Sequence, residues 1–534
     1  MGIESLYSSW IKNSNYSDIH LKRISNVFSL LLDFNAIIHE VAQQIYSYGN
    51  YKDEKRLKEI ESLSDEKLEK ELFDTIGKTI INLLQKFNPS NTLVICVDGV
   101  APPAKINQQR SRRYKASLES QSRFNTVCIT PGTDFMVRLD NYLNEWIKTN
   151  RDLLPNQVIY SSHLIPGEGE HKIFKLFKDN IINSPNSLKH ILYGMDADLI
   201  MLSLLSNVNI ILFRDDNNII NIKSLRNNII NDMIGDLKLD QQRVIIDFIT
   251  IAFILGNDFI PRLVSIYNVG EAIKLSINIY KKIISESDGN MLVNENGMIN
   301  WIFLNNFFIQ LSEYESTFLI EKEKTPKMHE FKILTDNIKN GKLDFKQFRL
   351  MWYSKVINNF NEDDIMKMCS WYLYGFQWIL SYYLDKTNSV IFEYIYPYLY
   401  SPLISDISFV LYNLAVNNIP LPLVIPIKPI HLKYYHQLVA VIPPKSIKYI
   451  PEQLRHLVMK GGSLEYMCPT QFKIDLEGKT EEWQGIPLLP ILDINKVIEK
   501  VDEIYKDEYK EINILILNKS DKIMLPKIKI IRKR

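Results

Sequence analysis

The sequence predicts an α/β protein: a mostly parallel sheet flanked by helices, followed by a second, largely helical region. Two observations carry this. Over the first 260 residues, short apolar runs of strand length alternate with segments of helical period, the pattern of strands joined by crossover helices. From about Val269 to Asp363 the pattern turns mostly helical and charged, and an aromatic-dense helix, SWYLYGFQWILSYYL, follows. We therefore divide the chain into an α/β region over 1–225, a largely helical region over 226–505, and a basic tail over 506–534.

Taken in order, Ser25 to Leu32 reads as a short apolar strand ending at Asp33. A helix follows, with Asn35 as its expected cap and Ile37, Ile38, Val41 and Ile45 as its apolar stripe; His39 lies in its first turns, close to Asp33. Tyr51 to Lys70 is a charge-rich helical excursion, and Leu72 to Phe87 is a core-facing helix. Thr92 to Val97 is a buried-strand run that breaks at Asp98-Gly99, so Asp98 stands at a strand's carboxyl end, the edge where ligands bind in open α/β sheets. After Pro102 and Pro103 a helix begins on which Lys105, Gln109, Arg112 and Arg113 share one face, with no acid between Pro102 and Leu118 to neutralise them.

ITPGTDFM turns into a helix that runs towards Ile147, and Asn156 to Ser161 is the next strand. It leads to PGEGEHK. There Glu168 and Glu170 stand at i and i+2, a spacing that converges only in the turn before a helix is established. His190 to Gly194 is a further strand leading to MDADLIM, where Asp196 and Asp198 fall on one face if the chain stays extended. Val208 to Phe213 is a paired strand. The apolar helix Asp247 to Gly256 places Asp258 at a helix end. Later, IPLPLVIPIKPI reads as an extended connector and Pro526 to Arg534 as a loose basic tail.

Composition narrows the class. With 46% hydrophobic and 23% charged residues over 534 positions, the chain is an ordinary globular one. No run of eighteen uncharged apolar residues occurs, and the first residues lack the apolar core of a signal peptide, so an intracellular protein with no membrane partner is expected. The four cysteines, Cys96, Cys128, Cys369 and Cys468, form no C-x-x-C pair and read as buried thiols rather than zinc ligands or disulfides. A net charge of +1 is no footprint of nucleic-acid binding, but a site that gathers acids for metal and cations for phosphate cancels in the sum.

Asp33, Asp98, Glu168, Glu170, Asp196, Asp198 and Asp258 all stand at element ends. Carboxylates gathered in one place repel unless cations bind among them, and oxygen ligands without a Cys or His shell suit Mg²⁺ or Mn²⁺. Two such ions, about 4 Å apart, activate a water and stabilise the leaving oxygen of a phosphodiester, which points to phosphoryl hydrolysis.

The motifs LLLDFNAIIH, VDGVAPPAKINQQRSRR, ITPGTDFM, PGEGEHK, YGMDADLIML, ILGNDFIP, GFQWILSYY with YPYLYSPLISD, and HQLVAVIPP with DLEGKTEEW closely resemble the 5′→3′ exoribonuclease (XRN) family, in that family's order. The resemblance spans roughly Asp33 to Asp493 and implies a PIN/FEN-like nuclease core in a form close to the minimal catalytic core. It implies that the seven acids are catalytic metal ligands, that Lys105, Gln109, Arg112 and Arg113 grip a 5′-monophosphate, and that His39 stacks on the first base. The implied activity is processive 5′→3′ hydrolysis of 5′-monophosphorylated single-stranded RNA, such as decapped mRNA, to nucleoside monophosphates. A decapping enzyme is the implied partner and the cytoplasm the implied compartment, with the nucleus left open. The chain departs from the family in its opening residues, where Met1-Gly2 and Trp10 remain, in Phe392 and Tyr394 where the family carries tryptophan, and in Tyr374 where it carries glutamate before Gly375. Two other readings stay open: a flap-type DNA nuclease and a catalytically inactive RNA-binding scaffold.

Overall fold

The computed structural model describes residues 6–519 apart from 17, 119–121, 184, 186, 288, 328, 358–360, 386–393, 417–431 and 506–513. Met1-Gly2, Phe392, the Pro-rich connector and the basic stretch Pro526 to Arg534 lie outside the described residues.

Among the described residues, seven strands make the main sheet: β1 (Val27–Asp33), β2 (Thr92–Cys96), β3 (Gln157–Ser161), β4 (Lys189–Tyr193), β5 (Ile210–Asp215), β6 (Asn218–Asn221) and β7 (Leu515–Asn518). Their spatial order is β7-β3-β2-β1-β4-β5-β6. β3, β2, β1, β4 and β5 are parallel neighbours, while β6 and β7 run antiparallel at the two edges. The chain builds outward from β1 on one side, then returns to β1's other side with β4. That reversal opens a crevice at the carboxyl ends of β1 and β4, the usual ligand position in such sheets.

Both faces of the sheet are covered, which is why its strands read as continuous apolar runs. Leu31, Val94, Ile159, Leu192 and Leu212 face one core, and Leu30, Leu93, Val158, Ile191 and Ile211 face the other. The second core is closed by the helix Phe34–Tyr46, through Ile37, Ile38, Val41 and Ile45, and by the helix Asp65–Phe87, whose Ser64 side chain accepts from the Lys67 N–H. The first core continues through Phe253, Tyr280, Phe307, Tyr353 and Tyr383 to Leu411, so helices of the second region share apolar packing with the sheet. Trp10 belongs to this core as well, its ring 5.3 Å from Phe248. All four cysteines are buried free thiols.

Three local expectations are corrected. Asp33, not Asn35, is the N-cap of the helix Phe34–Tyr46, and Asn35 turns its amide to Asp98 instead. The helix expected to run to Gly256 ends at Ala252, followed by a 3₁₀ turn over Phe253–Leu255, so Asp258 sits in the loop beyond a helix rather than at its end. Within the segment read as a tail, Leu515–Asn518 pairs with Gln157–Tyr160 and closes one edge of the sheet. Its short apolar run, LILN, sits among charged residues, which masks its strand character in the sequence.

Candidate active site

Asp33 is the last residue of β1, Asp98 lies two residues past β2, and Glu170 is in the first turn of the helix Gly169–Lys178. Together they bring carboxylate oxygens within 4.8 Å of one another. Backbone pairing between two loops sets this up: the Gly99 N–H donates to the Gly167 carbonyl at 2.9 Å, and the Gly167 N–H donates to the Val100 carbonyl at 2.8 Å. Asp98 is held on both oxygens, Oδ1 by the Gly169 N–H at 2.7 Å and Oδ2 by the Asn35 amide at 2.8 Å. Gly169 is required by space, since a Cβ there would lie 2.9 Å from Asp33 Oδ1 and 3.0 Å from the Cys96 carbonyl oxygen.

A second group adjoins the first. The Lys105 ammonium sits 2.5 Å from Glu168 Oε2 and 2.7 Å from Asp258 Oδ2. Glu168 caps the helix that carries Glu170, and its other oxygen accepts the Tyr382 hydroxyl at 2.6 Å. Asp198, the first residue of the helix Asp198–Leu205, accepts the Tyr383 hydroxyl at 2.6 Å. Asp258 is carried by a tight loop that starts at Gly256, whose φ of +75° is open to glycine.

Burial and mutual repulsion define the electrostatics. Burial, then Asp98 and Asp196, push the Asp33 carboxyl well above the usual range. Burial and Glu168 do the same to Glu170 and raise Asp98, and burial with Asp258 pushes Asp198 up to about 7. Burial opposes charge on Lys105, yet Asp258, Glu168, Glu170 and Asp198 hold its pKa well above normal. A buried, oxygen-only set of carboxylates that resist ionisation together fits a hard divalent cation. Asp33, Asp98 and Glu170 are the residues placed to hold one.

The Asp196/Asp198 pair is not in extended chain. Ala197 is αR, with φ −71° and ψ −23°, so the two-residue spacing does not put both carboxylates on one face of a strand. The apolar DLIMLSLL begins its helix at Asp198, one residue too soon for extended geometry. Asp196 still influences Asp33 electrostatically.

The helix Pro103–Ala116 begins as the prolines predict, with Pro102 as its cap and Pro103 at its first position. Its basic face is divided. Lys105 reaches the carboxylates, whereas Arg113 donates to Thr130 Oγ1 at 2.9 Å and to Gln109 Oε1 at 3.3 Å. Gln437 links this face to the helix Tyr434–Val441: it donates to Gln109 Oε1 at 2.8 Å and accepts the Ala101 N–H at 3.1 Å. Burial and Arg112 lower the Arg113 pKa to about 9, and burial with Arg112 and Arg113 lowers that of His39 to about 4. Arg112 and Asp258 line one continuous cleft of about 920 Å³.

Sequence reasoning did not single out Asn35, Tyr382, Tyr383 or Gln437 as parts of this site. Tyr382 and Tyr383 lie within the quoted SYY motif, and Gln437 within HQLVAV, but nothing local says which acid or amide each would meet.

Residues 1–216 match the family model described as "XRN 5'-3' exonuclease N-terminus", and residues within 238–514 match the one described as "Xrn1 helical domain". The chain is 28% identical to 5'-3' exoribonuclease 1 of Homo sapiens, over 89% of this chain and 32% of the relative. It is 26% identical to 5'-3' exoribonuclease 1 of Schizosaccharomyces pombe, over 89% and 46%, and 26% identical to 5'-3' exoribonuclease 2 of Arabidopsis thaliana, over 82% and 60%. The chain thus spans about a third to three fifths of the length of these relatives. No helix among the described residues is long and apolar enough to cross a membrane. With one family model covering the five parallel strands of the sheet and its companion covering the helical region that supplies Asp258, Tyr382 and Tyr383, this chain belongs to the XRN 5′-3′ exonuclease family.

Proposed function

We propose that the chain is a metal-dependent 5′→3′ exoribonuclease that hydrolyses 5′-monophosphorylated single-stranded RNA processively to nucleoside 5′-monophosphates. The observation that carries this reading is the juxtaposition of two opposite chemistries. The cluster of buried Asp33 and Glu170 with half-buried Asp98 adjoins Lys105, and the same helix carries Gln109, Arg112 and Arg113.

Asp33, Asp98, Glu168, Glu170, Asp196, Asp198 and Asp258 are assigned to the metal centre, with Mg²⁺ or Mn²⁺ as the ion and two ions as the number. Bound there, such ions supply an activated water and charge stabilisation for the leaving oxygen. The protein's share is positioning. Asn35 and the Gly169 N–H fix the Asp98 carboxylate, and Tyr382 and Tyr383 fix Glu168 and Asp198. Lys105, Gln109, Arg112 and Arg113 grip the terminal phosphate, with Gln437 orienting Gln109. In this reading the pocket takes a single phosphate, so a cap or triphosphate is refused. His39, kept neutral by its surroundings, presents a ring for stacking on the first base, a contact tolerant of sequence. In the same reading decapped mRNA in the cytoplasm is the natural substrate, supplied by a decapping enzyme.

The test uses one 3′-labelled RNA with either a 5′-monophosphate or a 5′-triphosphate, incubated in Mg²⁺ and in EDTA. Loss of the monophosphorylated RNA alone, and only with metal, is the expected result. Equal loss of both RNAs removes the pocket assignment, and loss of neither moves the chain to the binding-scaffold reading.

A further inference from the structure

The cleft lined by Arg112 and Asp258 is also lined by Arg262, Lys322 and Lys479. Lys322, on the helix Glu315–Lys324, donates to the Val264 carbonyl at 2.5 Å and lies 5.8 Å from the centre of the Phe331 ring. Among the described residues no carboxylate is within ion-pair reach of it. Its neighbours differ: Lys355 pairs with Asp475 at 2.8 Å and Glu477 at 2.5 Å, and Lys327 pairs with Glu323 at 3.2 Å. Burial, with Lys479, Arg262 and Lys327 nearby, lowers the Lys322 pKa to about 7.

The backbone holds these cations in place. Arg262 Nε donates to the Leu255 carbonyl at 3.0 Å, and a Cβ on Gly256 would lie 2.3 Å from the Arg262 nitrogen. The loop that brings Asp258 to Lys105 therefore also brings Arg262 to the cleft. Gly478, at φ +69°, packs its backbone against the Phe331 ring and sets Lys479 beside Lys322. Trp483, 58% exposed, and Tyr398 line the same cleft. Cations interleaved with aromatic rings along an open groove are the composition that holds a single nucleic-acid strand.

We propose that Arg262, Lys322 and Lys479 form a second phosphate subsite, which holds a backbone phosphate of the strand downstream of the scissile bond, with Trp483 offering its indole to an adjacent base. This rests on the exoribonuclease reading. It gives the enzyme a grip on the strand that survives each cleavage, independent of the terminal-phosphate pocket.

Binding is measured in EDTA by fluorescence anisotropy, using a 5′-phosphorylated 12-mer RNA and a 5′-phosphorylated dinucleotide with the parent, Lys322→Met and Lys479→Gln. Met keeps the aliphatic stem against Phe331, and Lys479→Gln serves if Lys322→Met does not fold. The expected result is about tenfold weaker binding of the 12-mer, a salt slope lower by about one, and unchanged dinucleotide binding. Equal effects on both lengths, or no effect of either variant, overturn the subsite. Displacement of the 12-mer by adenosine monophosphate from the parent but not from Lys322→Met also overturns it, because the cations would then hold released product. A parent that degrades the 12-mer in Mg²⁺ while its variants bind normally sinks only the subsite. A parent that neither binds nor degrades it sinks the exoribonuclease reading and the subsite together.

Discussion

Tyr382 donates its hydroxyl hydrogen to Glu168 Oε1 at 2.6 Å, and it does so from the C-terminal end of a helix, 214 residues further along the chain. The helical region therefore completes the sheet's carboxylate site. Tyr382→Phe removes one charge-assisted hydrogen bond and leaves the ring stacked on Trp378, 5.4 Å away. We expect turnover of monophosphorylated RNA to fall by about tenfold, as a bond to a charged group worth ~1.5 kcal/mol would give, with KM little changed. Steady-state kinetics against RNA concentration check this.

Glu170→Gln removes a buried carboxylate whose ionisation burial and Glu168 oppose. Turnover should fall by about a thousandfold, since the reaction loses a ligand for the charge that stabilises its leaving oxygen. Without metal the variant should melt higher than the parent, because one source of repulsion is gone. Thermal melts in EDTA beside activity in Mg²⁺ test both halves.

The raised pKa values of Asp33, Asp98, Glu170 and Asp198 set a direction for metal-free stability. A carboxyl whose folded pKa lies above its unfolded one contributes stability that is intact below the unfolded value and lost as pH rises through the folded value. EDTA should therefore lower Tm more at pH 8 than at pH 5.5, where protons already relieve the cluster. An equal EDTA effect at both values would remove the cluster as the metal site.

His163 and His190 give the opposite slope. Burial lowers both to about 4 from 6.5, and His190 Nδ1 is 2.7 Å from Ser29 Oγ between β1 and β4. Their stability contribution is present above pH 6.5 and is lost as pH falls towards 4. With Mg²⁺ holding the acids ionised, each should cost about 1 kcal/mol of unfolding free energy between pH 7 and 5.5. Urea titrations of the parent and His190→Asn at the two pH values measure this, and the variant should show the shallower loss.

Arg112→Ala should raise KM for 5′-monophosphorylated RNA by about ten- to a hundredfold, the scale of one charge-assisted phosphate contact, and leave 5′-hydroxyl RNA unaffected. Parallel kinetics on the two substrates decide it.

The sequence by itself determined the parallel strands of the sheet and which acids stand at the ends of its elements. Apolar runs such as Thr92–Cys96 are long enough only for buried strands, and the prolines at 102 and 103 suit the first turn of the helix that follows. Asp33, Asp98 and Glu170 were legible because strand ends and helix starts are local features. Tertiary structure alone decided which side chains meet. The capture of Lys105 by Glu168 and Asp258, and the support from Tyr382, Tyr383 and Gln437, join residues from 63 to 328 positions apart. The placement of Leu515–Asn518 also depends on a distant contact, a strand only because β3 offers it an open edge. Spacing along a chain fixes neighbours within a helix turn or a strand pair; it carries no record of the folded path that brings distant loops to one crevice.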